Sequence, residues 1–337
     1  MSRARWVIIG FAAILLVVLA FAGFVVNDLN HGVPADGKRV RVTVAQGAPF
    51  VSVVDSLEQK NLIRRAWTLT FFARATRADK KVSRGTYEFA RGTTPLQILR
   101  AFVDGDILAV SVTVPEGYNM WQVAGAFRPA GVGPKAMLAA IADTSFVRAL
   151  KIPTGTVEGY LYPDTYRVPF GSDAHDIVAQ MLTKFDDTWT PAFDRRAREL
   201  SMTRHEVITL ASIVEAEARV SQERPLVSAV YHNRLKLGMK LDADPTVAYA
   251  KGGYKGRLYY KDLALDSPYN TYRHAGLPPG PIGNPGVESI RAALYPDRSS
   301  KALFFVARGD GRHEFSETLK EHSAAIRRVR SPNGKTK

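Results

Sequence analysis

The stretch Thr203 to Ala218, TRHEVITLASIVEAEA, holds the two residues best suited to acid–base chemistry, Glu215 and Glu217. Thr203, with Glu206 three residues later, is a capping box that sets the start of a helix and accounts for Glu206 without any chemistry. Val207, Leu210, Ala211, Val214 and Ala218 then form an apolar stripe at helical spacing. Glu215 falls on one shoulder of that stripe, beside Ile208 and Ala211, and Glu217 on the other, beside Leu210 and Ile213. A carboxylate among aliphatic side chains is costly unless it is paired, hydrogen-bonded or protonated. Kept protonated, it is the raw material of a general acid. Most helical glutamates are instead solvated or ion-paired, so the surroundings decide.

Other stretches could complete such a site. Glu158-Gly159-Tyr160-Leu161-Tyr162-Pro163-Asp164-Thr165-Tyr166 gathers three tyrosines and two carboxylates in a turn-rich segment. Rings with polar tips suit stacking on sugar faces, and they equally suit packing a loop. Ser221 is placed to cap a further helix running to about Leu237, which Gly238 ends. Asn233 shares a face of that helix with Leu226, Val230 and Leu237, so its amide must find partners, either Glu215 or a neighbouring helix. Asp242, Asp244 and a Pro245-Thr246 turn follow. Then Ser267 to Gly286, SPYNTYRHAGLPPGPIGNPG, is a long loop whose tyrosines, asparagines and prolines fix a shape, and it reads as the wall of a groove. The seven histidines form no metal pattern, and His205-Glu206 lacks the second His a zinc protease helix requires. No cofactor is expected.

The elements that must carry these residues begin at a membrane. Arg3 and Arg5 precede an unbroken apolar run from Trp6 to Val26, and about 20 such residues span a bilayer. The arginines place residues 1–5 in the cytoplasm and everything after Asn27 outside. A cleaved signal peptide with its site at Ala20-Phe21-Ala22 is the competing reading, but the apolar run continues past it. The 337-residue length allows two domains, and the absence of cysteine excludes disulfides, thiolate metal sites and a cysteine nucleophile. The net charge of +14 comes without any track of interleaved basic and aromatic residues, so no nucleic-acid partner is expected. Outside a membrane that charge suits an anionic lipid surface or a carboxylate-bearing polymer. Arg327, Arg328, Arg330, Lys335 and Lys337 read as a solvated basic end.

Residues 27–38 read as a linker. Val40 to Val44 alternates as a strand, Val51–Asn61 and Trp67–Thr76 read as helices, and Gly85–Phe89 as a strand. Thr94-Pro95 opens another helix to about Val103. Val110 to Val114 with Gly117 and Val123 repeats the pattern of Val40 to Val44 with Gly47 and Val53, so one strand–turn–helix unit is used twice. The fold class is α+β, with a small module at residues 39–115, a catalytic domain at residues 116–330 and a tail at residues 331–337.

ASIVEAEA, LDADPTVAYA, SPYNTYRHAGLPPGPIGNPG, FFVARGDGRHEFSETLKEH and EGYLYPDTY together resemble the YceG-like family of endolytic murein transglycosylases over nearly the whole chain. The resemblance implies an anchor in the inner membrane, a LysM-like module and an exported, periplasmic catalytic domain. It implies cleavage inside nascent peptidoglycan strands, with glycan strands as substrate. The sequence names no protein partner, and a glycan-synthesising complex at the same membrane is the place to look. The family's catalytic glutamate is the first Glu of SIVE, here Glu215. One glutamic acid then serves twice, protonating the bond between N-acetylmuramic acid and N-acetylglucosamine and receiving the C6 hydroxyl proton as a 1,6-anhydro end closes. Its aliphatic neighbours would favour the protonated form. Glu217 and Asn233 would support it, and Tyr269, Asn270, Tyr272 and Asn284 are candidates for glycan contacts. Two alternatives stand beside this: a hydrolytic muramidase using Glu215 with Asp242 or Asp244, and a non-catalytic glycan-binding protein.

Overall fold

The structure, a computed structural model, describes residues 3–253 and 256–330, with side chains from Trp6 onward. The expected tail at residues 331–337, with Lys335 and Lys337, lies outside the described residues, as do Met1, Ser2 and the side chains of residues 3–5. Among the described residues strands occur as three two-stranded pairs among many helices, which is the expected α+β class. The chain divides into two units. The first runs to Val110 and takes in Arg167–Gly171 as well, and the second holds the remainder.

The first unit comprises α1 (Arg3–Asn30), β1 (Arg39–Val44), α2 (Phe50–Gln59), α3 (Ala66–Ala75), β2 (Gly85–Ala90) and α4 (Pro95–Asp104). β1 and β2 pair antiparallel, with Val42 opposite Tyr87. Alternation along β1 turns Val42 and Val44 into a core with Leu57, Leu69, Tyr87, Ile98 and Phe102, while Arg41 reaches outward to Glu88 at 2.9 Å. Thr94 and Gln97 form a capping box at the start of α4, and Gly105 ends it in the left-handed conformation.

In α1 the segment Trp6–Asn30 contains an 18-residue window of mean hydropathy 2.9 and is long and apolar enough to cross a membrane. The helix does not give way to a linker at Asn27. Asp28 is buried, and Arg65 at 2.7 Å and the Thr68 hydroxyl at 2.6 Å satisfy its carboxylate, so helix continues to Asn30. Val25 and Leu29 are buried in the core of this unit. Only residues 31–38 connect helix to strand, and Arg91 holds Asp36 there at 2.9 Å.

The second unit holds α5 (Met120–Ala126), α6 (Pro134–Ile141), α7 (Thr144–Ala149), α8 (Ala174–Thr188), α9 (Pro191–Glu199), α10 (Arg204–Glu217), α11 (Arg224–Lys236), α12 (Asp244–Ala250), α13 (Val287–Leu294) and α14 (Leu319–Arg330). Between α4 and α8 run β3 (Ala109–Thr113) and β4 (Thr165–Pro169), which pair with each other. β5 (Phe304–Ala307) and β6 (His313–Ser316) form an antiparallel hairpin under α14. The repeat seen in the sequence is physical: β1 and β3 are each followed by a glycine at positive φ, Gly47 at 73° and Gly117 at 76°, and then by a helix.

The central helix of this unit is α10, packed chiefly on α13 and also on α9, α11 and α12. Every residue from Val207 to Val214 is buried, so the helix is enclosed on all sides. Its start is fixed as expected: Glu206 N–H donates to the Thr203 hydroxyl at 3.2 Å, and Thr203 N–H to the Glu206 carboxylate at 2.7 Å. Removing such a cap costs about 1 kcal/mol. Thr203→Ala is therefore expected to lower unfolding stability by about 1 kcal/mol in urea titrations, and an unchanged midpoint would show that the packed helix holds its end without the cap.

Candidate active site

The buried helix α10 delivers Glu215 and Glu217 at its last turn, where backbone carbonyls present partial negative charge and no basic residue on the helix compensates. Each carboxylate must be satisfied from elsewhere, and the two are satisfied differently.

Glu215 keeps only 8% of its side chain exposed, and two groups hold it. Arg224, at the start of α11, donates Nη2 to Oε1 at 3.1 Å. The backbone N–H of Gly286, the residue capping α13, donates to Oε2 at 3.1 Å. The positive end of α13 thus faces the carboxylate that sits at the negative end of α10. Arg224 is itself pinned: Nε donates to the Ser289 hydroxyl at 2.9 Å and Nη1 to the Ser221 hydroxyl at 2.7 Å. Ser221 therefore serves the arginine and does not cap α11, which follows a short 3-10 turn at Ser221–Glu223. The expectation that aliphatic neighbours dominate around Glu215 is corrected accordingly, because an arginine and an amide N–H reach the open end of the helix.

A third group was not singled out from the sequence. Glu116, in the turn after β3, lies 3.7 Å from the same Arg224 Nη2, so two carboxylates share one guanidinium nitrogen. Burial and the charge of Glu215 push the Glu116 carboxyl above its ordinary range. The repeat held the signal, since the first copy reads VAQG and the second VPEG, putting Gln46 where Glu116 stands. The turn itself does not need a carboxylate. Asp242 and Asp244, the expected second carboxylates, lie elsewhere: Asp242 pairs with Arg234 at 3.2 Å, and Asp244 accepts from the Tyr272 hydroxyl at 2.7 Å.

Close backbone approach builds the walls. A Cβ at Gly283 would meet the Gly117 carbonyl oxygen at 2.8 Å, and one at Gly286 would collide with the Glu116 carboxylate. Asn284 holds these strands of chain together. Its main chain bonds Gly117 and Tyr118, and its side-chain oxygen accepts from Gly159 N–H at 2.8 Å and Leu161 N–H at 2.9 Å. Its side-chain nitrogen donates to the Tyr118 carbonyl at 2.7 Å and to Glu158 at 2.9 Å. Fully buried and fully bonded, Asn284 shapes the site from beneath. Asn270 does the same for its loop, donating to the Leu263 and Leu265 carbonyls and accepting from Tyr272 N–H. Asn233 reaches neither Glu215 nor a neighbouring helix, and donates to the Ser300 and Ala302 carbonyls. Tyr160 and Tyr166 are packing residues, buried in the core.

On the opposite shoulder Glu217 accepts from the Tyr231 hydroxyl at 3.3 Å. It borders a cavity of about 840 Å³ lined by Asp244, Arg257, Tyr259, Tyr260 and Tyr272. Burial, with the nearby charge of Asp244, pushes Glu217 up to about 7. Tyr269 stands apart from this cavity's lining, its ring 5.0 Å from that of Tyr249. Among the described residues no group of three or more His, Asp or Glu could hold a metal ion.

The model of the YceG-like family matches residues 42–328, and the chain belongs to that family. A Bacillus subtilis (strain 168) protein named endolytic murein transglycosylase is 32% identical over 319 residues, 89% of this chain and 87% of its own length. A protein of the same name from Streptococcus pneumoniae serotype 2 is 25% identical over 364 residues and covers 96% of this chain, which spans 65% of that longer relative. The crystal structure of a yceG-like protein from Listeria monocytogenes has a TM-score of 0.60 and 32% identity, covering 85% of this chain and 98% of that one.

Glu158 gives this region a measurable signature. It accepts from Met120 N–H, the Tyr249 hydroxyl and Asn284, yet burial outweighs these bonds and pushes it from 4.5 up to about 8. A carboxyl with a raised folded value contributes stability that is complete below its unfolded value and is lost as pH rises through the folded one. Unfolding free energy should therefore fall from about pH 5 to about pH 8, with Glu217 adding to the fall up to about 7. Glu158→Gln should flatten the profile in denaturant titrations across that range, and an unaltered slope would mean that Glu158 ionises normally.

Proposed function

We propose that this chain is a membrane-anchored endolytic murein transglycosylase with Glu215 as its acid and base. The supporting observation is the placement of Glu215: a nearly enclosed carboxylate at a helix end, held by Arg224 and the Gly286 N–H, in a family whose curated relatives carry that activity in their names. Glu215, protonated, gives its proton to the oxygen linking N-acetylmuramic acid to N-acetylglucosamine, and the bond from that oxygen to muramyl C1 breaks. The resulting carboxylate takes the proton of the muramyl C6 hydroxyl while O6 bonds to C1. No water is consumed, and Glu215 ends protonated as it began.

To act as an acid, Glu215 must release one of its two donors. Arg224 already lies between two carboxylates, so its shift toward Glu116 leaves Glu215 Oε1 open to a proton and to the glycosidic oxygen. The tyrosines and Glu217 of the second cavity are suited to holding neighbouring sugars, with Tyr272 and Tyr259 offering ring faces and hydroxyls. The strand–helix–helix–strand order of β1, α2, α3 and β2 supports a LysM-like module, and α1 supports a single-pass anchor with the catalytic unit on the exported side. A glycan-synthesising complex at that membrane is the partner to test.

Uncrosslinked glycan strands digested by wild type and by Glu215→Gln, with products weighed by mass spectrometry, test this reading. Internal fragments with anhydro-muramic ends are expected, falling by roughly 100-fold or more in the variant, as removal of a general acid–base does. Products heavier by one water would instead favour hydrolysis. The specific observation behind that second reading is Glu116, which supplies a carboxylate beside Glu215. Glu116→Gln separates the two roles. If Glu116 only draws Arg224 away, the variant keeps the anhydro product at a reduced rate, because Arg224 is left on Glu215 alone. If Glu116 acts directly on water, activity disappears at every pH.

A further inference from the structure

The outward face of α3 is apolar where a soluble module would carry charge. Leu69 and Ala73 turn into the core, while Trp67 and Phe71 stand 47% and 51% exposed on the other side, at i and i+4. These two rings pack on the end of α1. Phe21 stacks on Trp67 with centroids 6.0 Å apart and meets Phe71 edge-on at 5.6 Å, and Phe24 stacks on Trp67 at 6.0 Å. Those phenylalanines are themselves 42% exposed, so the four rings form one continuous open surface.

Depth along α1 decides what covers that surface. The apolar run ends at Val26, and at about 1.5 Å per residue Phe24 lies roughly 3 Å and Phe21 roughly 7 Å inside its outer end. About 20 residues are needed to span hydrocarbon of about 30 Å, and this run has little to spare, so both phenylalanines lie at its outer boundary or just inside it. Side chains stacked on them share their depth. Just beyond, buried Asp28 pairs with exposed Arg65, whose guanidinium lies 5.0 Å from the Phe24 ring centroid, which puts this ion pair at the water boundary. Arg74 borders the patch, and its long side chain can reach up to lipid phosphates. Asp55 and Glu58 on α2 border the same face and mark where seating stops.

We propose that α3 is a second membrane contact, with Trp67 and Phe71 seated in the outer-leaflet interface of the bilayer that α1 crosses. Tryptophan is the side chain best suited to that zone. The anchor and the first unit then meet the membrane as one rigid piece, because α1 ends inside the unit's core. This inference rests on reading α1 as an uncleaved anchor.

The full chain, reconstituted in phosphatidylcholine vesicles with acyl chains brominated near the headgroup, separates the two statements. Tryptophan fluorescence is compared for wild type, Trp6→Phe, Trp67→Phe and the double variant, the ring-for-ring exchange at exposed sites leaving the fold intact. Lipid quenching should persist in Trp6→Phe and be lost only in the double variant. If Trp6→Phe already abolishes quenching, α1 spans but α3 stays in water, and the inference is overturned. If Trp67→Phe abolishes it and Trp6→Phe does not, α3 touches lipid without a spanning α1, and the anchor reading fails. Blue-shifted Trp67 emission without quenching would mean that protein covers the patch, which also overturns the inference.

Discussion

A helix buried on every side can present acid groups only at an end, and α10 presents its two at the electrically unfavourable one. That constraint organises the second unit. Glu215 needs positive charge brought from other elements, so α11 must begin where Arg224 can reach it, and α13 must begin with its amide end aimed at the same carboxylate. Among the described residues Glu217 receives only a tyrosine hydroxyl, and burial with the charge of Asp244 raises its proton affinity. One helix end thus holds two carboxylates in opposite electrostatic settings. Such divergence is how a single backbone assigns different roles to like groups.

The packing of α10 against α13 is only as good as the loop that leads into α13. That loop is long, yet one amide fixes it: Asn284 meets two other segments and leaves no polar atom of its side chain idle. Glycine at 283 lets its backbone close on the Gly117 carbonyl, and glycine at 286 leaves room for the Glu116 carboxylate, which a side chain at either position would prevent. The geometry around Glu215 therefore depends on hydrogen bonds made beneath it, by a residue with no exposed surface.

Features set by neighbours in the chain were legible from the sequence. The Thr203–Glu206 cap, the Thr94–Pro95 helix start, the apolar span and the repeated strand–turn–helix unit are all local, and each has the expected form. The opposed shoulders of Glu215 and Glu217 followed from helical spacing alone. What escaped was long-range. An asparagine in a polar loop can face solvent or core, and only the fold shows that Asn270 and Asn284 face inward. Arg224 and Glu116 come from distant segments, and nothing near them in the chain announces that they meet. Asp28 carried α1 beyond its apolar run because its partners arrive with α3, which spacing along α1 does not reveal.

The chain leaves the first unit at Val110 and comes back to it at Arg167–Gly171. The return is structural: Phe170 N–H donates to the Leu108 carbonyl at 2.8 Å, and the Arg41 guanidinium lies over the Phe170 ring at 4.5 Å. For a polypeptide made from its amino end, this imposes an order of events. The first unit is not complete when residues up to Val110 have been made. It waits, at about 5–20 residues per second of synthesis, for a strap that arrives only after Ser111–Tyr166 has been made. During that interval of several seconds its edge stays open, which makes the early life of this protein, more than its finished state, the stage most exposed to misassembly.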